Sequence, residues 1–181
     1  VLFAEITDCP RCQLRAQPPA PVTQEPEEPA PSQEPIRIFL VGCGKTKQPG
    51  RHQARALYSG PVFRAARRYV EQEIQRDQAG ASTWSILSAK HGILAPLHLV
   101  ENYDQRLPGA ELDRSRWGQN AATTLRMAHH QRARVEVVIL AGADYADAIR
   151  SHLPPTWSVS VPLAGLPVGR RLAWFKRSTQ S

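Results

Sequence analysis

The sequence predicts an α/β fold of three layers: a mostly parallel sheet of about four to five strands with helices on both faces. Three observations carry this expectation. Short apolar runs rich in β-branched residues recur at Ile36–Val41, Trp84–Leu87, Val135–Leu140 and Trp157–Val161. The longer stretches between them place apolar residues at helical spacing. The first three runs end abruptly in small residues: Gly42-Cys43-Gly44, Ser88-Ala89-Lys90-His91-Gly92 and Ala141-Gly142-Ala143. Strands that alternate with helices build parallel sheets, because each crossover carries a helix back over one face.

Ile36–Val41 reads as the first strand, followed by a polar, basic loop over 44–56. Ser59 reads as a cap and Pro61 as a first-turn residue, so a helix is expected from about Pro61 to Arg76. Its apolar face would carry Val62, Ala66, Tyr69, Val70 and Ile74. Trp84–Leu87 is the second strand, and Pro96–Tyr103 a short irregular or helical stretch. Asp113 reads as the cap of a helix reaching about Arg132, and Val135–Leu140 as the third strand. Asp144 reads as the cap of a helix over Tyr145–Leu153. Trp157–Val161 is expected as a short edge strand, and Gly169–Lys176 as a final basic helix. Ligands of such sheets bind beyond the carboxyl ends of the strands. The loops 42–47, 88–92 and 141–145, with 162–169 beside them, are therefore expected to share one site.

Composition divides the chain. Residues 17–35 hold seven of the sixteen prolines and no large apolar residue except Val22. They read as a disordered Pro/Glu-rich linker between a short segment, 1–16, and the α/β domain, 36–181. Net charge is +7 overall, but −4 over residues 1–35 and +11 over 36–181. A domain this basic favours polyanions or nucleotides. No run approaches the ~18 apolar residues of a membrane span, and no signal peptide is visible. With three cysteines there is no disulfide framework. A cytoplasmic protein without membrane association is expected.

Candidate chemistry concentrates at the strand ends. Gly42-Cys43-Gly44-Lys45-Thr46-Lys47 lacks the Walker A spacing. Its glycines still admit a phosphate to the backbone, and Lys45 and Lys47 supply charge. Cys43 beside these lysines is a candidate nucleophile, or a small residue packed at a strand end. Lys90 is a second anion ligand, His91 a proton carrier near neutral pH and Ser88 a hydrogen-bond donor or nucleophile. Asp104 would hold Lys90 or serve as a general base. Tyr58 and Ser59 stand at a helix entrance that attracts anions. Arg64, Arg67, Arg68, Arg170 and Arg171, interleaved with aromatics, are candidates for a nucleic-acid surface. Cys9-Pro-Arg-Cys12 has the spacing of half a zinc knuckle, so zinc would need further ligands outside this chain.

Five ordered motifs carry a family resemblance. They are Cys43-Gly-Lys-Thr-Lys47, Leu57-Tyr-Ser-Gly-Pro-Val-Phe63, Trp84-Ser-Ile-Leu-Ser-Ala-Lys-His-Gly-Ile-Leu94, Tyr103-Asp104 and Pro162-Leu-Ala-Gly-Leu-Pro-Val-Gly-Arg-Arg-Leu-Ala-Trp174. Over roughly residues 36–176 the chain resembles a bacterial and phage family of YaaA-like domains of unknown function, DUF6884. More distantly, Leu87–Pro96 is similar to the peroxide-stress YaaA proteins, with Ile93 where they have leucine. The resemblance implies association with DNA, protection from oxidative damage or nucleic-acid modification, and it adds Tyr103 to the candidate positions. No catalytic mechanism comes with it.

The expectation is thus a nucleotide- or nucleic-acid-directed domain acting at a base, sugar or phosphate. Lys45, Lys47 and Lys90 would hold phosphate, and His91 or Asp104 would move the proton. Two alternatives stand beside it: a non-enzymatic DNA-binding stress protein, and an accessory module tethered to a larger nucleic-acid-processing complex.

Overall fold

The structure, a computed structural model, describes residues 35–130, 132 and 134–179. The Cys9/Cys12 pair and the linker up to residue 34 lie outside the described residues. A five-stranded sheet forms the centre. Strand β1 (Ile36–Gly42) lies in the middle, because Ile38–Val41 are apolar on both faces and leave no side for water. The 3-residue strand β2 (Arg51–Gln53) and one-turn helix α1 (Ala54–Leu57) follow, then helix α2 (Pro61–Arg76). Strand β3 (Thr83–Ser88) pairs parallel to β1, and β4 (Gly92–Leu94) folds back antiparallel on β3. Strand β5 (Leu99–Glu101) pairs with β2 in a separate two-stranded ribbon. Helix α3 (Glu111–His129) leads to β6 (Val135–Leu140), parallel to β1 on its other side. Helix α4 (Ala143–Arg150), edge strand β7 (Ser158–Ser160) and helix α5 (Val168–Ser178) complete the order β4-β3-β1-β6-β7.

The alternation of side chains along β1 divides the core into two layers. Phe39 and Val41 face Phe63, Ala66 and Val70 of α2 and Phe175 of α5. Ile38 and Leu40 face Ala121, Ala122 and Leu125 of α3 and Ala146 and Ile149 of α4. Helices therefore cover both faces, and each fully buried large aliphatic or aromatic side chain contributes about 1.5–3 kcal/mol. Two close approaches seat the site. A methyl group on Gly42 would lie 2.9 Å from Ala141 Cβ, so the ends of β1 and β6 nearly touch there. A methyl group on Gly118 would fall 1.7 Å from the Ala148 carbonyl oxygen, so α3 rests directly on the backbone of α4.

The structure departs from the sequence reading at the caps and the short elements. Gly60, not Ser59, is the N-cap of α2; the Ser59 N–H instead donates to the Thr46 carbonyl at 3.0 Å. Ala110 and Gly142 cap α3 and α4, and Asp113 and Asp144 lie inside the first turns. There they still favour the helix through its dipole. The loop expected over 44–56 contains β2 and α1, and the stretch 96–103 contains β5. Each of these strands has three residues, too few to show a period, and finds its partner far along the chain.

Candidate functional site

The carboxyl ends of β3, β1 and β6 lie side by side, and their loops converge as the sheet topology requires. Gly92 (φ 67°) begins β4 in a left-handed conformation suited to glycine, which tightens the turn carrying Lys90 and His91. Past β1, the Cys43 N–H donates to the Leu87 carbonyl at 3.0 Å, tying the two strand ends together. Lys47 bridges to Tyr58 as an antiparallel pair, which fixes the 44–47 loop against the approach to α2.

At the centre is a chain of hydroxyls. Tyr103 Oη lies 2.7 Å from Tyr58 Oη and 2.7 Å from Ser88 Oγ. Ser88 is fully buried, and its Oγ also accepts the His91 N–H at 3.0 Å. Ser88 therefore acts here as a support for the turn, with its hydroxyl already engaged. Tyr58 is equally enclosed, with its hydroxyl turned to Tyr103. Beside them, Cys43 Sγ lies 3.2 Å from Tyr145 Oη. Burial holds the phenols of Tyr58, Tyr103 and Tyr145 above the usual tyrosine range. For Tyr58 the hydrogen bond to Tyr103 adds to burial; for Tyr145 electrostatic interaction with the adjacent Cys43 does. These hydroxyls stay protonated at neutral pH, and each meets a polar partner.

Cations surround this chain. Lys47 Nζ stands 4.5 Å from the centre of the Tyr103 ring, and Lys90 Nζ 5.4 Å from it. Among the described residues neither lysine, nor Lys45, has a carboxylate within 4.0 Å. A cleft of about 350 Å³ opens beside them. Lys45, Lys47 and Arg106 supply its positive wall, Asp104 and Asp144 its carboxylates, and Cys43, Gln105, Leu107 and Tyr145 the remainder. The charges are thus mixed, with ammonium groups next to hydrogen-bond acceptors.

His91 is exposed and packs edge-on against Tyr103, ring centres 5.3 Å apart. Partial burial, then the neighbouring Lys90 and His98 charges, lower its pKa below the usual histidine value. Because the folded state disfavours the imidazolium, this contribution to stability is intact above about pH 6.5. It is lost as pH falls through the lowered folded-state pKa, since the unfolded chain then binds more protons. An NMR titration of the His91 ring is expected to show a midpoint below the usual histidine value of about 6.5; a midpoint at or above that value would contradict this geometry.

The basic surface residues behave differently from one another. Arg64, Arg68 and Arg170 are exposed. Arg67 pairs with Glu71 at 2.9 Å and donates to the Arg55 carbonyl at 3.0 Å, so its charge is committed within the fold. Arg171 is half-buried and donates through Nε to the Leu166 carbonyl at 2.7 Å. A larger cleft, about 460 Å³, lies at the amino end of β1, lined by Arg37, Glu73, Arg76 and Glu136. Its charges satisfy each other, with Arg37–Glu73 at 3.3 Å, Arg37–Glu136 at 3.2 Å and Arg76–Glu73 at 3.1 Å. It offers a ligand little uncompensated charge.

Sequence reasoning placed the 141–145 loop at the site without singling out Tyr145 as a candidate, and it missed the run Gln105-Arg106-Leu107. The run continues Tyr103-Asp104, and that position was the available signal. Among the described residues, no group of three or more His, Cys, Asp or Glu side chains is placed to hold a metal ion. No helix among them is long and apolar enough to cross a membrane.

Fold and site together define a mostly parallel α/β domain with a cleft of mixed charge at its strand ends. The chain belongs to the family of unknown function DUF6884, whose family model matches residues 38–177. It is also similar to the uncharacterized protein YfjM of Bacillus subtilis (strain 168), 30% identical over 155 residues that span 80% of this chain and 95% of that protein.

Proposed function

We propose that the protein binds a phosphorylated nucleoside unit in the strand-end cleft and acts at its base, sugar or phosphate. The unit is a free nucleotide or part of a nucleic-acid strand, DNA being the expected polymer, in a cytoplasmic setting. One observation carries the reading: Lys47 and Lys90 each stand against the ring of Tyr103, and among the described residues neither has a carboxylate within 4.0 Å. Cations without a counter-charge attract an anion, which gains charge-assisted hydrogen bonds on entering. Asp104, Asp144 and Gln105 supply acceptors and donors suited to sugar hydroxyls and base edges. His91, held neutral by its surroundings, is the candidate base, with Asp104 the alternative. Ser88 and Tyr58 position Tyr103 and the turn.

The second reading, a non-enzymatic DNA-binding stress protein, draws on exposed Arg64, Arg68 and Arg170. Binding of single-stranded DNA, duplex DNA and nucleoside monophosphates across a salt series separates the two. With the cleft as the site, Lys47→Ala and Lys90→Ala each weaken binding by about 10–100-fold, the worth of one charge-assisted contact. Steeply salt-dependent polymer binding that ignores both substitutions favours the surface reading instead. His91→Ala then distinguishes an enzyme, which keeps binding and loses turnover, from a binder.

A further inference from the structure

Arg170 and Arg171 are neighbours in the first turn of α5 with different surroundings. Arg170 is exposed, whereas Arg171 is half-buried and tied by its Nε–H to the Leu166 carbonyl at 2.7 Å. That bond fixes the plane of the guanidinium and leaves its terminal nitrogens to point elsewhere. They point to the end of the sheet: a methyl group on Gly142 would lie 3.7 Å from Arg171 Nη1. Gly142 lies two residues past the end of β6 and precedes Asp144 and Tyr145 of the cleft wall. Among the described residues no carboxylate lies within 4.0 Å of Arg171.

An oriented, half-buried guanidinium without a counter-charge has the geometry that captures an oxyanion through two parallel N–H bonds. A second cationic station therefore stands beyond β6, while Lys45 and Lys47 occupy the end of β1. The two strands are adjacent and parallel, about 4.8 Å apart, and Gly42 lets their ends approach closely. Stations on neighbouring strand ends match phosphoryl groups joined in series. Resting on the phosphate-binding reading above, we infer that the site takes a diphosphate, as in a nucleoside diphosphate, with one phosphoryl group on Lys45 and Lys47 and the next on Arg171.

Calorimetric titration of the full chain with inorganic phosphate and with pyrophosphate tests this. Wild type is expected to bind pyrophosphate at least about tenfold more tightly, the worth of one added charged contact. Arg171→Gln is expected to weaken pyrophosphate binding about tenfold and phosphate binding by clearly less, so that the preference shrinks or disappears. The dependence on Arg171 decides, because the greater charge of pyrophosphate favours any basic surface. Arg171→Lys keeps the charge but not the fork, and is expected to lower the preference severalfold; it carries the test if Arg171→Gln melts early. A preference that survives both substitutions overturns the inference, as does an equal loss for the two anions. If Lys47→Ala leaves phosphate binding unchanged, or wild type binds neither anion, the underlying reading fails and this inference with it. Phosphate binding that needs Lys47 while Arg171 is silent overturns this inference alone.

Discussion

Gly118→Ala is expected to lower stability by about 3–5 kcal/mol, the range of a severe core overpacking. The added methyl would sit 1.7 Å from the Ala148 carbonyl oxygen and 3.1 Å from the His152 ring. The nearer obstacle is backbone, so no rotamer change relieves it, and α3 and α4 must separate. That separation opens the layer where Ala121, Ala122 and Leu125 meet Ala146 and Ile149 beneath β1 and β6. For a domain of this size the melting temperature should fall by about 10 °C. Asn120→Ala, on the exposed face of the same helix, serves as control and should change stability by less than about 0.5 kcal/mol. A Gly118→Ala protein that melts with wild type would show that the helices do not pack this closely.

Tyr103→Phe should cost about 2–4 kcal/mol, although it removes a single oxygen. The ring remains, so its contacts with Lys47, Lys90 and His91 can persist. The loss falls on what stays behind: the buried hydroxyls of Tyr58 and Ser88 each lose a partner at 2.7 Å. Leaving a buried polar group unpaired costs about 1–3 kcal/mol, more than the net worth of the bond. The same asymmetry predicts partial rescue. Tyr58→Phe combined with Tyr103→Phe removes both phenolic oxygens and should be less damaging than the sum of the single changes. Strict additivity in urea unfolding would mean that the hydroxyl chain is not coupled.

The parts of this molecule that were legible in the sequence are those with strong local patterns. Ile36–Val41 and Val135–Leu140 read as strands because Ile38–Val41 and Val137–Leu140 are unbroken apolar runs, buried on both faces. The face of α2 was visible because Ala66 and Val70 recur at helical spacing. Glycine breaks and lysines marked the strand ends, so Lys45, Lys47, Lys90 and His91 were found as candidates from local sequence alone. What was not legible depends on distant pairing. Tyr103 meets Tyr58 across 45 positions and Ser88 across 15, and nothing local to any of them announces the contact. Gly118 reads as a poor helix residue until α4 is laid against it. Arg67 and Arg171 look alike in sequence, yet Glu71 neutralises one while the other faces the strand ends. Helix α2 starts at Pro61 as expected, but the caps fall one to three residues from those expected, because backbone geometry rather than a capping side chain sets them at Gly60, Ala110 and Gly142.

The central claim is that the strand-end cleft is where the protein meets phosphate. Amide NMR spectra of the protein titrated with a nucleoside monophosphate test it by location. Shift changes are expected to concentrate at 43–47, 88–91, 103–107 and 144–145, together with a rise in the His91 midpoint as the bound anion favours the imidazolium. Changes concentrated at Arg64 and Arg68, or at the Arg37–Glu73–Arg76 end of the sheet, would contradict it.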